Sequence, residues 1–244
     1  MPEGPSIIIL KEAVEQFNGK KILEVTGNAA IDKDVLINKK VTFKSWGKHF
    51  LVSLPHSTIR IHLLLFGSYS INEQTKPAES LRLGLRFKNG AVYLYTCSVK
   101  MLEDDPDNIY DWTADVMNEK WDAAKALKKL KENPSGLICD ALLDQDIFSG
   151  VGNIIKNEVL YRVKIHPESI IDKIPTRKLV QVVKEAREYS FDFLRWKKAF
   201  ELKQHWLAYH KKICTRCNLP ILKKYCGKTK RQSFFCTNCQ VLYK

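Results

Sequence analysis

The chain has 244 residues, of which 45% are apolar, and carries 40 Lys plus Arg against 27 Asp plus Glu, a formal charge of +13. That is enough chain and enough apolar side chain for one large domain or two ordinary ones, which excludes a disordered polyanion binder. No run of 18 apolar residues occurs and the start lacks a basic segment followed by an apolar stretch, so neither a membrane span nor a secretory signal is expected.

The first element in chain order is a helix opening at Pro5, with Ile8, Ile9, Val14 and Phe17 as its apolar face and Asn18-Gly19 as its stop. The pattern then turns extended. KKILEV, VTFKSWGKHFLVSL and TIRIHLLLF are rich in β-branched and aromatic residues. LRLGLRF alternates strictly, Lys88-Asn89-Gly90 turns, and AVYLYT returns, which predicts a hairpin with a type I′ turn. Glu103 to Asp122 holds eight acids and Pro106, and reads as a domain boundary. Helical periodicity follows over 121–131, 137–147, 153–162 and 176–196, the last with Thr176 as its N-cap. The end from Leu202 to Lys244 has eight Lys, two Arg and no acid. A basic end beside an acidic middle describes a polarised molecule with one face for phosphate.

Two patterns carry chemistry. Cys214-Thr-Arg-Cys217 and Cys236-Thr-Asn-Cys239 each offer two thiolates on a tight turn, and four soft ligands suit a closed, structural, tetrahedral zinc site. PILKKY and RQSFF between them read as two strands whose connecting tip projects Lys228, Lys230 and Arg231. The remaining Cys97, Cys139 and Cys226 make the count odd, which suits a reducing compartment. The second pattern is Ser149-Gly150-Val151-Gly152-Asn153 between two apolar helical runs. Gly150 and Gly152 let backbone approach a ligand, and Asn153 opens a helix whose free N–H groups favour an anion. An ordinary helix–helix turn is the competing reading.

Together, the N-terminal Pro-Glu-Gly-Pro, the Lys48 of Trp46-Gly47-Lys48, DQDIFSGVGNIIKNE and the terminal four-Cys ribbon resemble the formamidopyrimidine-DNA glycosylase/endonuclease VIII family over essentially the whole chain. The resemblance implies an α+β fold: an N-terminal antiparallel β-sandwich with a leading helix (1–112), an acidic linker (113–122), a helical domain with a helix–two-turn–helix element (123–205), and a zinc β-ribbon (206–244), with DNA between the domains. It implies a bifunctional glycosylase/lyase acting on oxidised bases in damaged DNA, monomeric, with no organic cofactor and no membrane partner. It implies Pro2, freed by removal of Met1, as nucleophile, Glu3 as acid/base partner, Lys48 as a strand lysine beside the lesion phosphate, and Arg231 as the ribbon arginine for δ-elimination. Asn153 would bind backbone phosphate, and Leu64, Leu65 and Phe66 would fill the void left by a flipped base. The family's Arg-Phe loop is replaced by Cys97 to Leu102, and Gly4 stands where the formamidopyrimidine branch has Leu, so the chain looks closer to endonuclease VIII with oxidised pyrimidines favoured. Ser6 stands where both branches have Glu, and Leu64 where endonuclease VIII has Gln. A DNA-binding protein without catalysis, the same chemistry with 8-oxoguanine preference, and a ribosomal or transcription-associated zinc ribbon are the rivals. A bacterial cytoplasm is the expected setting.

Overall fold

The computed structural model describes residues 2–244 and divides into two compact units, 1–111 and 112–244.

The first unit begins with helix α1 (Gly4–Ala13). Eight strands follow: β1 (Glu24–Thr26), β2 (Thr42–Trp46), β3 (His49–Leu54), β4 (Ser57–His62), β5 (Ser68–Ile71), β6 (Leu81–Phe87), β7 (Gly90–Tyr95) and β8 (Ser98–Met101). They form two antiparallel four-stranded sheets, ordered β1-β6-β7-β5 and β2-β3-β4-β8. Alternation points one face of each sheet inward. Phe43, Phe50, Val52, Ile59 and Ile61 of one sheet and Leu83, Leu85, Val92 and Leu94 of the other share a single buried core, into which α1 inserts Ile7 and Leu10. Phe43 and Phe50 stack with ring centres 5.5 Å apart. The helix ends earlier than its apolar pattern predicts: Val14 caps it, and Phe17 enters the core from a following 3₁₀ turn. The β6–β7 turn is also not type I′. Phe87 pairs with Gly90, and neither Lys88 nor Asn89 is left-handed; Gly90 takes the positive φ instead, +144°.

Helix α2 (Pro106–Ile109) closes the first unit, and the second holds four further helices. They are α3 (Ala123–Lys131), α4 (Ile138–Ala141), α5 (Asn153–Arg162) and α6 (Thr176–Lys198). The expected 137–147 helix is only the short α4. Thr176 is the first helical residue, and Pro175 takes the cap position, its fixed φ suiting the helix entry. The ribbon is the antiparallel pair β9 (Leu222–Cys226) and β10 (Arg231–Phe235).

The acidic segment expected as a linker over 113–122 lies within this second unit. Val116 is fully buried in its core, and its N–H donates to Ser149 O at 3.1 Å. Both of its aspartates hold backbone: Asp115 accepts from Met117 N, and Asp122 caps α3 by accepting from Lys125 N, each at 2.9 Å. The ribbon shares the same core, through Cys226, Phe234 and Phe235 packed with Ile154, Ile155 and Tyr161.

Phe50→Ala removes a fully buried ring, so urea unfolding should show the sandwich unit destabilised by about 3–5 kcal/mol.

Candidate functional site

Glu3 precedes α1 and is fully buried, with Pro2 half-buried before it. The two ends of the helix's first turn cap each other. The Glu3 side chain takes the N–H of Ser6, and Ser6 Oγ accepts the N–H of Glu3 at 3.4 Å. Ser6 therefore does from the third helical position what a capping carboxylate would do. The helix N-terminus also places positive potential at the Glu3 carboxylate.

α1 packs on β2 and β3. Trp46 pairs with His49, so Gly47 and Lys48 form a two-residue turn, with Gly47 left-handed at φ +51°. Lys48 is thus on a hairpin tip rather than within a strand. An aromatic platform holds that tip: Trp46 stacks on Tyr110 at 4.6 Å and donates Nε1–H to Asp111 O at 3.0 Å, and His49 packs within 5.6 Å of both rings. Burial first, then the charges of Arg60, His62 and Lys48, lowers the pKa of His49 to about 4. His62, whose ring lies 5.5 Å away, is lowered by burial and then by Lys48 and Arg60. A neutral His62 keeps Nδ1 as an acceptor, and it takes the N–H of Leu64 at 3.1 Å.

That bond sets the next feature. Leu64 is left-handed, φ +53°, and Gly67 N–H closes the turn onto Leu63 O at 2.7 Å. A side chain on Gly67 would run into the Leu63 backbone. The turn presents Leu64, Leu65 and Phe66 to solvent together, with Phe66 76% exposed. The three side chains form an exposed apolar patch and not part of the core.

In the second unit Gly150 is left-handed, φ +97°, and Gly152 is the N-cap of α5, placing Asn153 at its first position. Gln145 latches the loop: its Oε1 accepts from Gly150 N at 3.2 Å, and its Nε2 donates to Leu143 O and Val151 O. Asn153 is buried, and its Oδ1 accepts no hydrogen bond.

Three consecutive residues missed in the sequence tie α5 to the ribbon. Lys156 Nζ donates to Ser233 Oγ at 2.8 Å and to Gln232 O at 3.2 Å. Asn157 donates to Asn153 O at 2.7 Å and Gln232 O at 3.3 Å, and its Oδ1 accepts from Phe234 N at 2.7 Å. The fully buried Glu158 accepts the N–H groups of Leu207, Ala208 and Tyr209 at 2.8–3.1 Å. Asn157 therefore binds both the residue that opens α5 and the strand that Arg231 begins. The signal available in NIIKNEVLYR was its lack of a polar face: nine of its ten residues are buried.

The four expected cysteines converge. Their sulfurs all lie within 4.8 Å of one another, with Cys217–Cys236 at 3.5 Å and Cys214–Cys239 at 3.8 Å. A tetrahedral ion about 2.3 Å from each sulfur needs edges of about 3.8 Å, so the cluster fits a metal of zinc's size. Tyr161 Oη stands 3.2 Å from Cys214 Sγ, and Arg216 lies 4.0 Å above the Tyr161 ring, supporting the cluster from outside. Among the described residues no helix is long and apolar enough to cross a membrane.

This combination of a two-sheet sandwich, a Gly-x-Gly-Asn helical unit and a four-Cys ribbon defines a fold seen in DNA glycosylases. A viral DNA glycosylase superposes with TM-score 0.85 at 22% identity, over 98% of this chain and 100% of that one. The Lactococcus lactis formamidopyrimidine DNA glycosylase, non-covalently bound to DNA containing an AP site, gives 0.84 at 20% identity, over 98% and 99%. Residues 113–190 match the formamidopyrimidine-DNA glycosylase H2TH domain. Mouse endonuclease 8-like 3 is 28% identical over 201 residues, covering 80% of this chain and 33% of its own length. Mouse endonuclease 8-like 2 is 30% identical over 197 residues, covering 75% and 57%. The helical unit thus matches the H2TH domain of formamidopyrimidine-DNA glycosylases, and the chain is similar to members of the formamidopyrimidine-DNA glycosylase/endonuclease VIII family. It spans about a third to just over half the length of these curated relatives. Such relatives come from vertebrates, human and frog included, and lend no support to the expected bacterial setting.

The lowered His49 pKa has a sign that can be measured. The unfolded chain takes up a proton near pH 6.5, while the folded chain refuses it until about pH 4. Stability should therefore be held above pH 6.5 and fall by about 3 kcal/mol between pH 6.5 and 4. Denaturant titrations across that range should show a clearly flatter profile for His49→Phe.

Proposed function

We propose that this chain is a bifunctional DNA glycosylase and AP lyase that excises oxidised bases, pyrimidines favoured, and then cleaves the strand. One observation carries the reading: Glu3 is wholly buried and fixed at the start of α1, directly beside Pro2. A fully buried carboxylate in that position is costly unless its place is used.

With Met1 removed, Pro2 supplies a secondary amine at the chain terminus. Such amines titrate at about 7.7–8.0 against about 10.4 for lysine, so a far larger share is neutral at physiological pH. The amine lone pair attacks C1′ of the damaged nucleotide, and the C1′–N bond to the base breaks with its electrons leaving on the base. Glu3 delivers a proton to the sugar ring oxygen as the ring opens, leaving an iminium between Pro2 and C1′. The iminium accepts the C2′–H electrons when that proton is lost, and the resulting enamine expels the 3′ phosphate; loss of the C4′ proton then feeds the conjugated iminium in the same way and expels the 5′ phosphate. Water then hydrolyses the iminium and returns the amine. Lys48 steadies phosphate beside the sugar from the hairpin tip. Asn153 and the α5 N-terminus bind backbone phosphate, and Arg231 forks onto the phosphate that leaves last. Leu64, Leu65 and Phe66 enter the stack when the damaged base leaves it.

The pyrimidine preference rests on residues 98–101. They form β8, whose Ser98 pairs with His62 of β4, so they are sheet and offer no Arg-Phe loop to fill space opposite the lesion. Two curated relatives are named endonuclease 8-like, after the branch that the sequence resembles more.

The four cysteines would hold one zinc, which supplies no chemistry to the reaction and closes the ribbon. Metal analysis should find one zinc per chain, and Cys236→Ala should lose both the metal and DNA binding while the sandwich unit stays folded; zinc-free wild-type protein that binds DNA normally would refute the role.

The catalytic reading is tested by borohydride reduction on DNA carrying an oxidised pyrimidine. A covalent adduct should form, should weaken in Pro2→Gly, which keeps a terminal amine but loses the ring that orients it, and should vanish when a tag blocks the amine. Folded wild-type protein that gives no adduct with any oxidised base rules the lyase out.

A further inference from the structure

The ribbon segment from Leu202 to Lys244 contains no carboxylate, yet a carboxylate sits at its tip. It belongs to Asp140 of α4. Asp140 Oδ2 accepts from Lys228 N at 2.9 Å, and Oδ1 accepts from Thr229 N at 3.2 Å and Thr229 Oγ1 at 3.1 Å. The fit is close. Gly227 is left-handed, φ +72°, and a Cβ there would lie 2.3 Å from Oδ1 and 2.5 Å from Oδ2. The tip turn is otherwise thinly held, with a backbone bond from Lys230 N to Gly227 O at 3.3 Å and Lys230 itself left-handed.

The base of this contact is firm. α4 is bonded into the helical unit by Ile138 N to Ser169 O and Cys139 N to Pro167 O, and Ile138 and Cys139 are buried in its core. Cys226, which ends β9 and pairs with Arg231, is buried in that same core. The chain thus runs from a core-anchored Cys226, through a turn wrapped on Asp140, straight into Arg231.

A negative charge beside the most basic part of a DNA-binding protein opposes phosphate. Here both of its oxygens are turned onto the backbone and hydroxyl of the turn, so its charge is spent locally. Lys228 and Lys230 are both exposed to solvent.

We propose that Asp140 is a positioning residue for the ribbon tip: by holding the 227–229 turn it fixes the direction of Arg231 and of the two tip lysines toward DNA phosphate. The proposal rests on the lyase reading for its effect on product and on structure alone for its effect on the turn.

The test uses the full chain with its metal. Asp140→Ala is compared with Asp140→Asn, which keeps one acceptor oxygen, by binding to a tetrahydrofuran abasic-site duplex and by products on an abasic-site duplex. Losing hydrogen bonds to a charged acceptor should weaken binding by about tenfold in Asp140→Ala. Adduct formation at saturating protein should stay within twofold, while the ratio of δ- to β-elimination product drops. Asp140→Asn should recover part of both. Amide exchange at Lys228 and Thr229 should be slow in wild type and fast in Asp140→Ala, with zinc content unchanged. Fast exchange with unaltered affinity and product ratio would overturn the proposal, as would slow exchange in Asp140→Ala. If wild type forms no adduct, the lyase reading fails, and exchange together with duplex affinity still decides the role of Asp140. Should Asp140→Ala not fold, Thr229→Val, which removes only the hydroxyl contact, should shift affinity and product ratio the same way by a smaller factor; no shift counts against the proposal.

Discussion

In the second unit the apolar core that α5 shares with the ribbon is fixed in place by buried polar bonds. The ribbon has a strongly basic end and no acid of its own, and its small pair of strands cannot build an independent core. It is held by groups that α5 offers from a buried face: the Glu158 carboxylate under the 207–209 backbone, and Lys156 and Asn157 on β10. Buried charges of this kind are stable only with all their bonds made. Glu158 meets that condition with backbone N–H groups from three successive residues. Glu168 adds a surface tie, with both oxygens 2.8 Å from Lys224 Nζ. The helix that opens at Asn153 and the strand that opens at Arg231 consequently move as one body.

The first unit solves a different problem, that of holding charged and titratable groups against an apolar core. Glu3 is satisfied by the helix it begins. Lys48 sits on a tight turn over stacked Trp46 and Tyr110. His49 and His62 lie where cations crowd together, and both are kept neutral by burial and by those cations. Neutrality is what lets His62 accept from Leu64 and so hold the exposed apolar turn in its left-handed geometry. Charge around Lys48 and the shape of the Leu64–Phe66 turn are linked through one imidazole.

Much of this was legible in the sequence where the determinant is local. Two Cys-x-x-Cys pairs, a Gly-x-Gly-Asn before an apolar run, and alternating strands each announce themselves within a few residues. The acid-rich stretch from 113 misled for the same local reason. Aspartates that cap turns and helices have the composition of a solvated linker, and only the burial of Val116 distinguishes them. Lys88-Asn89-Gly90 suggested the commonest tight hairpin turn, but pairing begins at Gly90 itself. Glu158, Asn157, Gln145 and Asp140 were not legible. The partners of Glu158, Asn157 and Asp140 lie about 50 to 90 positions away, and no spacing rule links a carboxylate to a turn at that distance. The Ser6 substitution could be seen in the sequence but not interpreted, since its capping bond to Glu3 exists only once the helix forms.

Because α5 is buried on nearly every side, its sequence must satisfy the loop before it, the ribbon beside it and the helices behind it at once. The ribbon is therefore not an exchangeable cassette. A chimaera that grafts onto this chain a four-cysteine segment without a serine at position 233 would bring its own metal ligands yet leave the buried Lys156 without its hydroxyl partner. Lineages that alter this end of the protein must alter α5 with it, and drift in the ribbon is constrained by a helix of which only the last residue, Arg162, reaches the surface.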